Sequence, residues 1–351
     1  MDFREILLEN CRRYPKLRGR DLIKLLYQYS FGCEHLAADE KTVLARIISE
    51  AESIKNGTPE AVEALGDYCR VGLSYLDCGL SAETLARIFC LSARPDENGE
   101  KKLRRGIEII TDLAESGLLP ISRNEWSAAL YEWKSANYPA VRHSEEYREA
   151  YAPAYRVVAK RYSDILPLLA RIDSMQGVGE VRLAIEGGSA SGKSTLGKML
   201  AEIYGCTLFH MDDFFLTPNM RTADRLAEAG GNVDRERFLA EVLTPMSHGE
   251  EIAYRRYDCS TGEIMPPESK KPTRLIVTEG AYSLHPDLAD FYNLKVFIDV
   301  APELQRERIL KRNSPDMAER HFAAWIPMEE RYFDAFGIRK LCDMTLTAEG
   351  I

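Results

Sequence analysis

The segment Gly187–Ser194, which reads Gly-Gly-Ser-Ala-Ser-Gly-Lys-Ser, constrains this chain more than any other, because it matches the pattern G-x-x-x-x-G-K-[ST] at every fixed position. Residues 181–186 alternate as a strand does, and residues 196–203 carry apolar side chains at helical spacing. Glycines let the backbone turn tightly towards phosphate oxygens, and the following helix presents its unpaired N-terminal N–H groups. This strand, loop and helix predict a site for a nucleoside triphosphate.

The loop's own residues supply the predicted cofactor contacts. The ammonium of Lys193 is expected to meet the β- and γ-phosphates, and the hydroxyl of Ser194 is expected to bind Mg²⁺. The expected cofactors are therefore ATP and Mg²⁺, although the sequence leaves ATP and GTP undistinguished. The predicted nucleotide-binding residues are Gly187, Gly188, Ser189, Ala190, Ser191, Gly192, Lys193, Ser194 and Thr195.

Length and charge limit the organisation and the partners. A chain of 351 residues suits two domains. A net charge of −9 argues against a nucleic-acid partner, because phosphate backbones are bound through clustered Lys and Arg. No apolar run reaches the roughly 18 residues of a membrane span, and the N-terminus lacks the apolar segment of a signal peptide. We therefore expect a cytoplasmic protein with no membrane partner.

The first half of the chain has a helical period, and we predict an all-helical domain over residues 1–175. Apolar residues recur at i, i+3, i+4 and i+7, and this pattern extends through a predicted helix over residues 157–169. Stop-and-turn signals separate the helices at residues 56–59, 94–99 and 116–120. The sequence leaves three roles open for this half: covering the active site, binding a regulator or forming a homodimer.

One segment of this half admits two interpretations. Arg142, His143 and Arg156 could face an anion or the other domain. Alternatively, Tyr147 and Tyr151, with Tyr155 four residues further on, pack as one aromatic face of a helix. The packing interpretation is favoured.

Residues 176–351 alternate strands with helices after a glycine-containing turn. Short apolar runs at residues 207–211, 275–278, 295–300 and 344–347 join the strand before the glycine loop. About five short strands separated by helices predict a parallel sheet covered on both faces. Ligands bind outside the carboxyl ends of such strands, so the residues that follow each strand are the candidates for chemistry.

Acidic residues stand at two of these strand ends. Asp212 and Asp213 follow the second strand, and Glu279 follows the third. Phosphoryl transfer needs a carboxylate that orients and deprotonates the attacking hydroxyl, and another that supports the magnesium shell. Two acidic strand ends facing one phosphate loop supply both.

The second half resembles the uridine kinase and phosphoribulokinase family of P-loop kinases, which is similar in turn to pantothenate and nicotinamide riboside kinases. The resemblance runs from about residue 180 to the C-terminus, and it rests on the segments Gly187–Ser194, Asp212–Phe215, Tyr257–Asp258, Glu279–Gly280 and Arg306–Arg312. It implies an α/β P-loop kinase fold and transfer of the γ-phosphate of ATP to a primary hydroxyl of a small molecule, a nucleoside such as uridine or cytidine.

Carried over position by position, the resemblance implies that Asp212 is the base acting on the acceptor hydroxyl. Glu279 would support Mg²⁺, together with Ser194 and Asp212. Arg308 and Arg312 would belong to a catalytic lid that closes over the phosphates, where arriving cations stabilise developing charge.

The resemblance specifies the residues that bind the phosphate acceptor less closely than it specifies the phosphate loop. The resemblance places Tyr257 and Asp258 there, with Asp213 and Phe215 next to the catalytic acid. Uridine kinases have Tyr where Phe215 stands, and the doubled acid before two Phe residues is closer to nicotinamide riboside kinases. Arg221 begins a basic, glycine-rich stretch in the same region. The sequence therefore leaves open an acceptor such as nicotinamide riboside, pantothenate or a sugar phosphate, and also a nucleotide-dependent switch protein without an acceptor.

Overall fold

The computed structural model describes residues 2–36, 39–52 and 62–351. The chain divides into two units, Met1–Asp173 and Ser174–Ile351, which are described separately below. The turn predicted at residues 56–59 lies outside the described residues. No helix in the described ranges is long and apolar enough to cross a membrane.

The first unit is mainly helical, as predicted. Its helices are α1 (Phe3–Arg13), α2 (Gly19–Phe31), α3 (Glu40–Ala51), α4 (Ala82–Ser92), α5 (Gly99–Glu115), α6 (Arg123–Ser135), α7 (Glu145–Tyr151), α8 (Lys160–Ser163) and α9 (Leu166–Gln176), the last of which crosses the division between the units. They surround a core that includes Leu22, Leu26, Ile110 and Trp126, all at most 1% exposed.

The prediction that this unit is entirely helical needs one correction. An antiparallel sheet of order β1-β2-β3 is formed by β1 (Glu63–Leu65), β2 (Tyr68–Gly72) and β3 (Tyr155–Ala159). The helix predicted over residues 157–169 is therefore wrong at its start, where Val157 and Val158 pair with β2. β-branched neighbours favour a strand.

The aromatic face predicted for one helix is divided for the same reason. Tyr147 and Tyr151 lie in α7, but this helix ends at Tyr151, because the next residue, Ala152, has a φ of 41° and precedes Pro153. Tyr155 therefore lies in β3.

The second unit contains the predicted parallel sheet. Its strands are β4 (Val181–Gly187), β5 (Thr207–His210), β10 (Leu275–Glu279), β11 (Leu294–Asp299) and β12 (Met344–Thr347). The helices are α10 (Lys193–Tyr204), α11 (Ala223–Ala227), α12 (Arg235–Phe238), α13 (Thr244–Ser247), α14 (Pro302–Arg312), α15 (Pro315–Arg320), α16 (Ile326–Phe336) and α17 (Ile338–Leu341).

Two small antiparallel pairs lie between β5 and β10. Strand β6 (Ile252–Tyr254) pairs with β9 (Glu268–Lys270), and β7 (Tyr257–Asp258) pairs with β8 (Glu263–Ile264). Single π-helical turns connect α12 to α13 at residues 239–243 and α15 to α16 at residues 321–325.

The strand order places the functional edge of the sheet. The order is β12-β11-β4-β10-β5, with every neighbouring pair parallel. From β4 the chain runs first to one side of the sheet and later to the other, so the carboxyl end of β4 is a topological switch point, where ligands of such sheets bind. The predicted α/β fold with a P-loop after its first strand is confirmed. All five residues of β10 are buried, as expected for a central parallel strand.

Candidate functional site

The glycine loop joins the carboxyl end of β4 to the N-terminus of α10. Gly187 has a φ of +149°, and a Cβ atom there would lie 2.6 Å from the carbonyl oxygen of Ile298, so only glycine fits. The Lys193 ammonium donates to the carbonyl oxygens of Gly187 and Gly188, each at 2.8 Å. The loop thus encloses a cation next to the N–H groups at the start of α10, an arrangement suited to phosphate.

A buried carboxyl group lies directly beneath the loop. Glu186 is fully buried and accepts hydrogen bonds from the N–H groups of Gly187 (3.0 Å) and Leu284 (3.2 Å) and from the hydroxyl of Tyr332 (3.0 Å). Burial raises the pKa of Glu186 to about 7, against the opposing effects of these donors and of Lys193. Glu186 therefore ties the loop both to the chain after β10 and to α16.

Helices α14 and α16 hold the outer side of the loop. Glu329 of α16 accepts from the N–H (2.8 Å) and from the hydroxyl (2.7 Å) of Ser189, and Gln305 of α14 donates to the Ser189 carbonyl (2.9 Å). Glu329 is buried, which raises its pKa. Sequence reasoning missed both side chains, since they lie more than a hundred residues from the loop and in no motif.

A cavity of about 1200 Å³ opens beside the loop and contains most of the predicted site residues. Its size suits a nucleotide together with a small acceptor. The predicted residues that line it are Ser189, Ala190, Ser191, Gly192, Lys193, Ser194, Thr195, Asp212, Phe215, Arg221, Tyr257, Glu279, Arg308 and Arg312.

Asp212 follows β5 and lines this cavity, partly open to solvent. The surrounding protein reduces the solvation of its carboxylate and raises its pKa, and Glu279 acts in the same direction. The positive charges of Lys193, His210 and Arg312 oppose this effect. A carboxylate with a raised pKa, close to the loop's cation, has the properties of a general base for a hydroxyl acceptor.

Glu279 has a partner that the sequence did not predict. Strands β5 and β10 are in register at His210 and Glu279, and Nδ1 of His210 is hydrogen-bonded to Oε1 of the buried Glu279. This hydrogen bond raises the pKa of His210. The only sequence signal was its position, two residues before Asp212 at a strand end.

The position after Glu279 requires glycine, and Gly280 occupies it. Its φ is +140°, and a Cβ atom there would lie 2.6 Å from the Cβ of Met211. The chain after Glu279 and the chain before Asp212 therefore approach each other closely, which brings the two acids to one edge of the sheet.

Aromatic and basic side chains also line the cavity. Arg221 donates to the carbonyl of Leu216 (3.0 Å) and to the hydroxyl of Tyr257 (3.2 Å). Phe215 and Tyr282 also line the cavity, with Phe215 half-buried and Tyr282 buried. These residues place aromatic and basic side chains in the same cavity as Asp212.

Two predicted acceptor residues lie outside the lining of this cavity. Asp213 is half-buried, and its charged neighbours include Arg256 and Lys270 of the β6–β9 region. Asp258 accepts from the N–H (2.7 Å) and the hydroxyl (2.6 Å) of Ser260, which lowers its pKa. Their predicted roles in acceptor binding stay predictions, without support from the cavity.

The two predicted lid arginines have different surroundings. Arg308 donates to the carbonyl oxygens of Ala190 (3.2 Å) and Ser191 (3.4 Å), and also to those of Ala348 (2.8 Å) and Ile351 (3.2 Å). It therefore fastens the loop to the C-terminal segment. Arg312, at the end of α14, is exposed and acts electrostatically on Asp212. Their catalytic roles stay predictions.

The donor atoms at this edge suit a magnesium ion. Ser194, Asp212 and Glu279 line one cavity and offer hydroxyl and carboxylate oxygens, the hard ligands that Mg²⁺ prefers. No group of three or more His, Cys, Asp or Glu side chains that could hold a metal occurs in the described part of the chain. Magnesium at kinase sites is bound through one or two carboxylates together with the phosphates of its substrate, so the donor set fits.

Comparison with known proteins confirms the resemblance of the second unit. Residues 183–324 match the model of the phosphoribulokinase / uridine kinase family. A phosphoribulokinase from Synechocystis sp. is 26% identical over 145 residues, which are 40% of this chain and 43% of that protein. Uridine kinase-like protein 3 from Arabidopsis thaliana is 25% identical over 142 residues, which are 38% of this chain and 30% of that protein.

These matches lie within part of each chain: the aligned segment spans less than half the length of either curated relative. Among solved structures, a possible uridine kinase from Bacillus stearothermophilus is 20% identical, with a TM-score of 0.37, over 51% of this chain and 98% of its own. The assignment of the fold rests on the strand order and the loop described above.

Proposed function

We propose that the second unit is a kinase that uses ATP and Mg²⁺ to phosphorylate a primary hydroxyl of a nucleoside, uridine or cytidine. The observation that carries this proposal is the single cavity that contains both the phosphate loop with Lys193 and the acid Asp212. A protein that only binds a nucleotide has no need of a separate acid beside the loop, whereas transfer to a hydroxyl does. The match to the phosphoribulokinase / uridine kinase family supports the same reaction class.

The proposed chemistry is mainly positioning and charge neutralisation. The Lys193 ammonium and the loop N–H groups bind the β- and γ-phosphates, while Asp212 accepts the proton of the acceptor hydroxyl as it attacks in line. Magnesium, when bound near Ser194 and Glu279, supplies further positive charge against the phosphate oxygens. The Glu279 carboxylate is held in place for this role by His210.

The lining of the cavity supports a nucleoside as the acceptor. Phe215, Tyr257 and Tyr282 provide faces on which a planar base stacks, and aromatic stacking of this kind favours bases. Arg221 fixes Tyr257 through its hydroxyl. One curated relative is named as uridine kinase-like.

A sugar phosphate is the second candidate acceptor. Arg221, Arg320 and Arg331 also line the cavity, and guanidinium groups are well suited to a phosphate on the acceptor. The other curated relative is named as a phosphoribulokinase.

A coupled assay of ADP release tests the proposal. Mg-ATP is supplied with uridine, cytidine, other nucleosides, nicotinamide riboside, pantothenate and several sugar phosphates, and the Lys193→Ala variant serves as the blank. We expect turnover with a pyrimidine nucleoside that exceeds the acceptor-free rate and disappears in the variant. Turnover with a sugar phosphate instead would select the second candidate. Slow hydrolysis that no acceptor accelerates would contradict a kinase and favour a nucleotide-dependent switch.

A further inference from the structure

The first unit contains a cavity of its own, of about 250 Å³, between α2, α3 and β3. Its lining combines apolar side chains such as Val43 and Phe89 with the cationic side chains of Lys24, Arg46 and Arg156. This volume corresponds to several water molecules of about 30 Å³ each, so a small organic molecule fits.

Positive charge dominates the lining. Lys24, Arg46 and Arg156 face Glu50, the only acidic residue among the described residues of the lining. Glu50 forms an ion pair with Arg156 at 2.8 Å. Arg46 is exposed, and within the described ranges no ion pair or hydrogen bond neutralises its guanidinium. Two cationic groups are therefore left to attract an anion.

The second of these cations is held inside the protein. Lys24 is half-buried, and its ammonium donates to the carbonyl of Val141 at 3.2 Å, which is a neutral acceptor. Burial, with the nearby Arg70, lowers the pKa of Lys24 to about 8, while Asp21 opposes this effect. An anion placed beside a lysine whose charged form is destabilised in this way stabilises that charged form.

The wall of the cavity is a hydrogen-bonded polar network. His143 Nε2 is hydrogen-bonded to the hydroxyl of Tyr155 (2.8 Å), and His143 Nδ1 to the buried Asp21 (2.8 Å). The amide of Gln28 donates to the same tyrosine hydroxyl (3.3 Å) and its oxygen accepts from the buried Arg70 (2.7 Å). Each member fixes the next, so the polar groups around the cavity are preorganised.

This geometry revises the sequence interpretation of residues 138–156, where aromatic packing was favoured over anion binding. Tyr147 does pack, stacked on His143 at a ring separation of 4.0 Å. The cavity lining, however, contains His143, Tyr155 and Arg156 together with Lys24 and Arg46.

We propose that this cavity of the first unit binds a small organic anion, a carboxylate or a phosphate monoester whose apolar part lies against Val43 and Phe89. The anionic group lies between Lys24 and Arg46. The described residues that line this cavity all belong to the first unit, and none of them lines the cavity of the proposed kinase site.

Isothermal titration calorimetry of the full chain tests the proposal, with citrate and benzoate as carboxylates and inorganic phosphate and ribose 5-phosphate as phosphates. A non-hydrolysable ATP analogue with Mg²⁺ is present throughout, so that the phosphate loop is occupied. We expect at least one probe to bind. The class of the probe that binds more tightly, carboxylate or phosphate, identifies the anionic group that the cavity prefers.

Two variants on one helix locate the site. Arg46→Met keeps the apolar stem and removes the charge, so we expect affinity to fall by about tenfold or more, as for loss of one charge-assisted contact. Lys41→Met, also exposed on α3 and outside the cavity lining, is the control and should bind as the parent does. Equal thermal stability of the two variants excludes unfolding as the cause.

The proposal is overturned if no probe shows saturable binding up to about 10 mM, beyond the weakest affinity expected of a built site. It is also overturned if Arg46→Met and Lys41→Met bind the probe equally.

Discussion

Asp212 and Asp213 are adjacent acids in different surroundings, and this difference allows a test of the general base. Only Asp212 lines the cavity beside the phosphate loop. We expect Asp212→Asn to keep nucleotide affinity and to lower kcat by about 10²–10⁴, the usual contribution of general base catalysis. Steady-state turnover and nucleotide titration of the same preparation measure the two effects separately.

Asp213→Asn is the matched control. Its carboxylate lies near Arg256 and Lys270, away from the cavity lining, so kcat should change by less than about threefold. If Asp213→Asn lost turnover and Asp212→Asn did not, the base would be the other acid.

The buried Glu186 makes the stability of the second unit depend on pH. Burial holds its pKa at about 7 in the folded unit, against 4.5 in the unfolded chain. Between these values the folded state retains a proton that the unfolded state releases, so the contribution of Glu186 to stability is full below pH 4.5 and falls as pH rises towards 7. At about 1.4 kcal/mol per pKa unit the loss amounts to about 3 kcal/mol.

Urea unfolding of the parent and of Glu186→Gln at pH 5 and pH 7.5 measures this effect. The amide introduced by the substitution does not titrate, so the variant should lose less stability between the two pH values than the parent does. Equal losses in both proteins would show that Glu186 ionises normally.

The residues that the sequence predicted differ in kind from those that it missed. The sequence predicted the loop residues, Asp212 and Glu279 because each stands in a short motif or directly after a strand. At such positions the local pattern and the geometry of the sheet determine where a side chain lies. Glu329 and His210 were missed because their roles depend on contacts that only the folded chain makes. Glu329 accepts a hydrogen bond from a serine 140 residues away, and His210 is hydrogen-bonded to Glu279 on the neighbouring strand.

At the scale of elements, α16 supports the phosphate loop from outside. Its Glu329 accepts two hydrogen bonds from Ser189, which are stronger when the acceptor is charged. We expect Glu329→Gln to loosen the loop and to weaken ATP binding by about tenfold, equivalent to about 1.4 kcal/mol. Titration with a fluorescent ATP analogue measures the change.

The neighbouring Glu330→Gln controls for the loss of one negative charge in α16. Glu330 pairs with Arg339 at the surface, 3.1 Å away, and no hydrogen bond or ion pair joins it to the loop among the described residues. An equal loss of affinity in both variants would mean that charge alone, and not support of the loop, causes the effect.

Elements with a strong period were predictable and short ones were not. Strand β10 and the middle of β11 are short apolar runs, and six of the seven residues of β4 are buried, which is typical of a parallel sheet. By contrast, β3 follows Pro153 and carries two valines that also fit the apolar spacing of the next helix, so its period was ambiguous. Pairing with β2 decides the conformation, and that pairing joins residues more than eighty positions apart.

A buried histidine links two elements of the first unit and predicts its acid sensitivity. Burial lowers the pKa of His143 to about 4 from 6.5, although its hydrogen bond with Asp21 of α2 opposes the shift. Below pH 6.5 the unfolded chain gains a proton that the folded unit rejects, so stability falls as pH decreases from 6.5 to 4. The lowered pKa of Asp21 adds a further loss of stability at lower pH, as pH falls below the ordinary carboxyl pKa of 3.8.

Thermal unfolding of the parent and of His143→Asn between pH 4 and pH 7 checks this prediction. We expect the parent to lose stability with acid more steeply than the variant, which cannot be protonated at this position. Parallel losses in the two proteins would assign the acid sensitivity to other groups.

At the scale of the whole molecule, the two units give a test of where the proposed activity lies. Every residue that lines the larger cavity lies between Ser189 and Ile351, inside the second unit. The sheet that positions them is also complete there, from β4 to β12. The domains predicted at residues 1–175 and 176–351 lead to a fragment that begins just before Val178, which is 92% exposed in the connecting segment.

We expect residues 176–351 alone to unfold cooperatively and to bind a non-hydrolysable ATP analogue within about threefold of the full chain's affinity, because the contacts that shape the loop come from β4, α14 and α16. Gel filtration, thermal unfolding and analogue titration measure these properties. The Lys193→Ala variant of the fragment measures any binding of the analogue outside the phosphate loop. A fragment that folds but binds weakly would mean that the first unit contributes to the nucleotide site. Aggregation would mean that the first unit covers apolar surface of the second, because exposed apolar patches drive association.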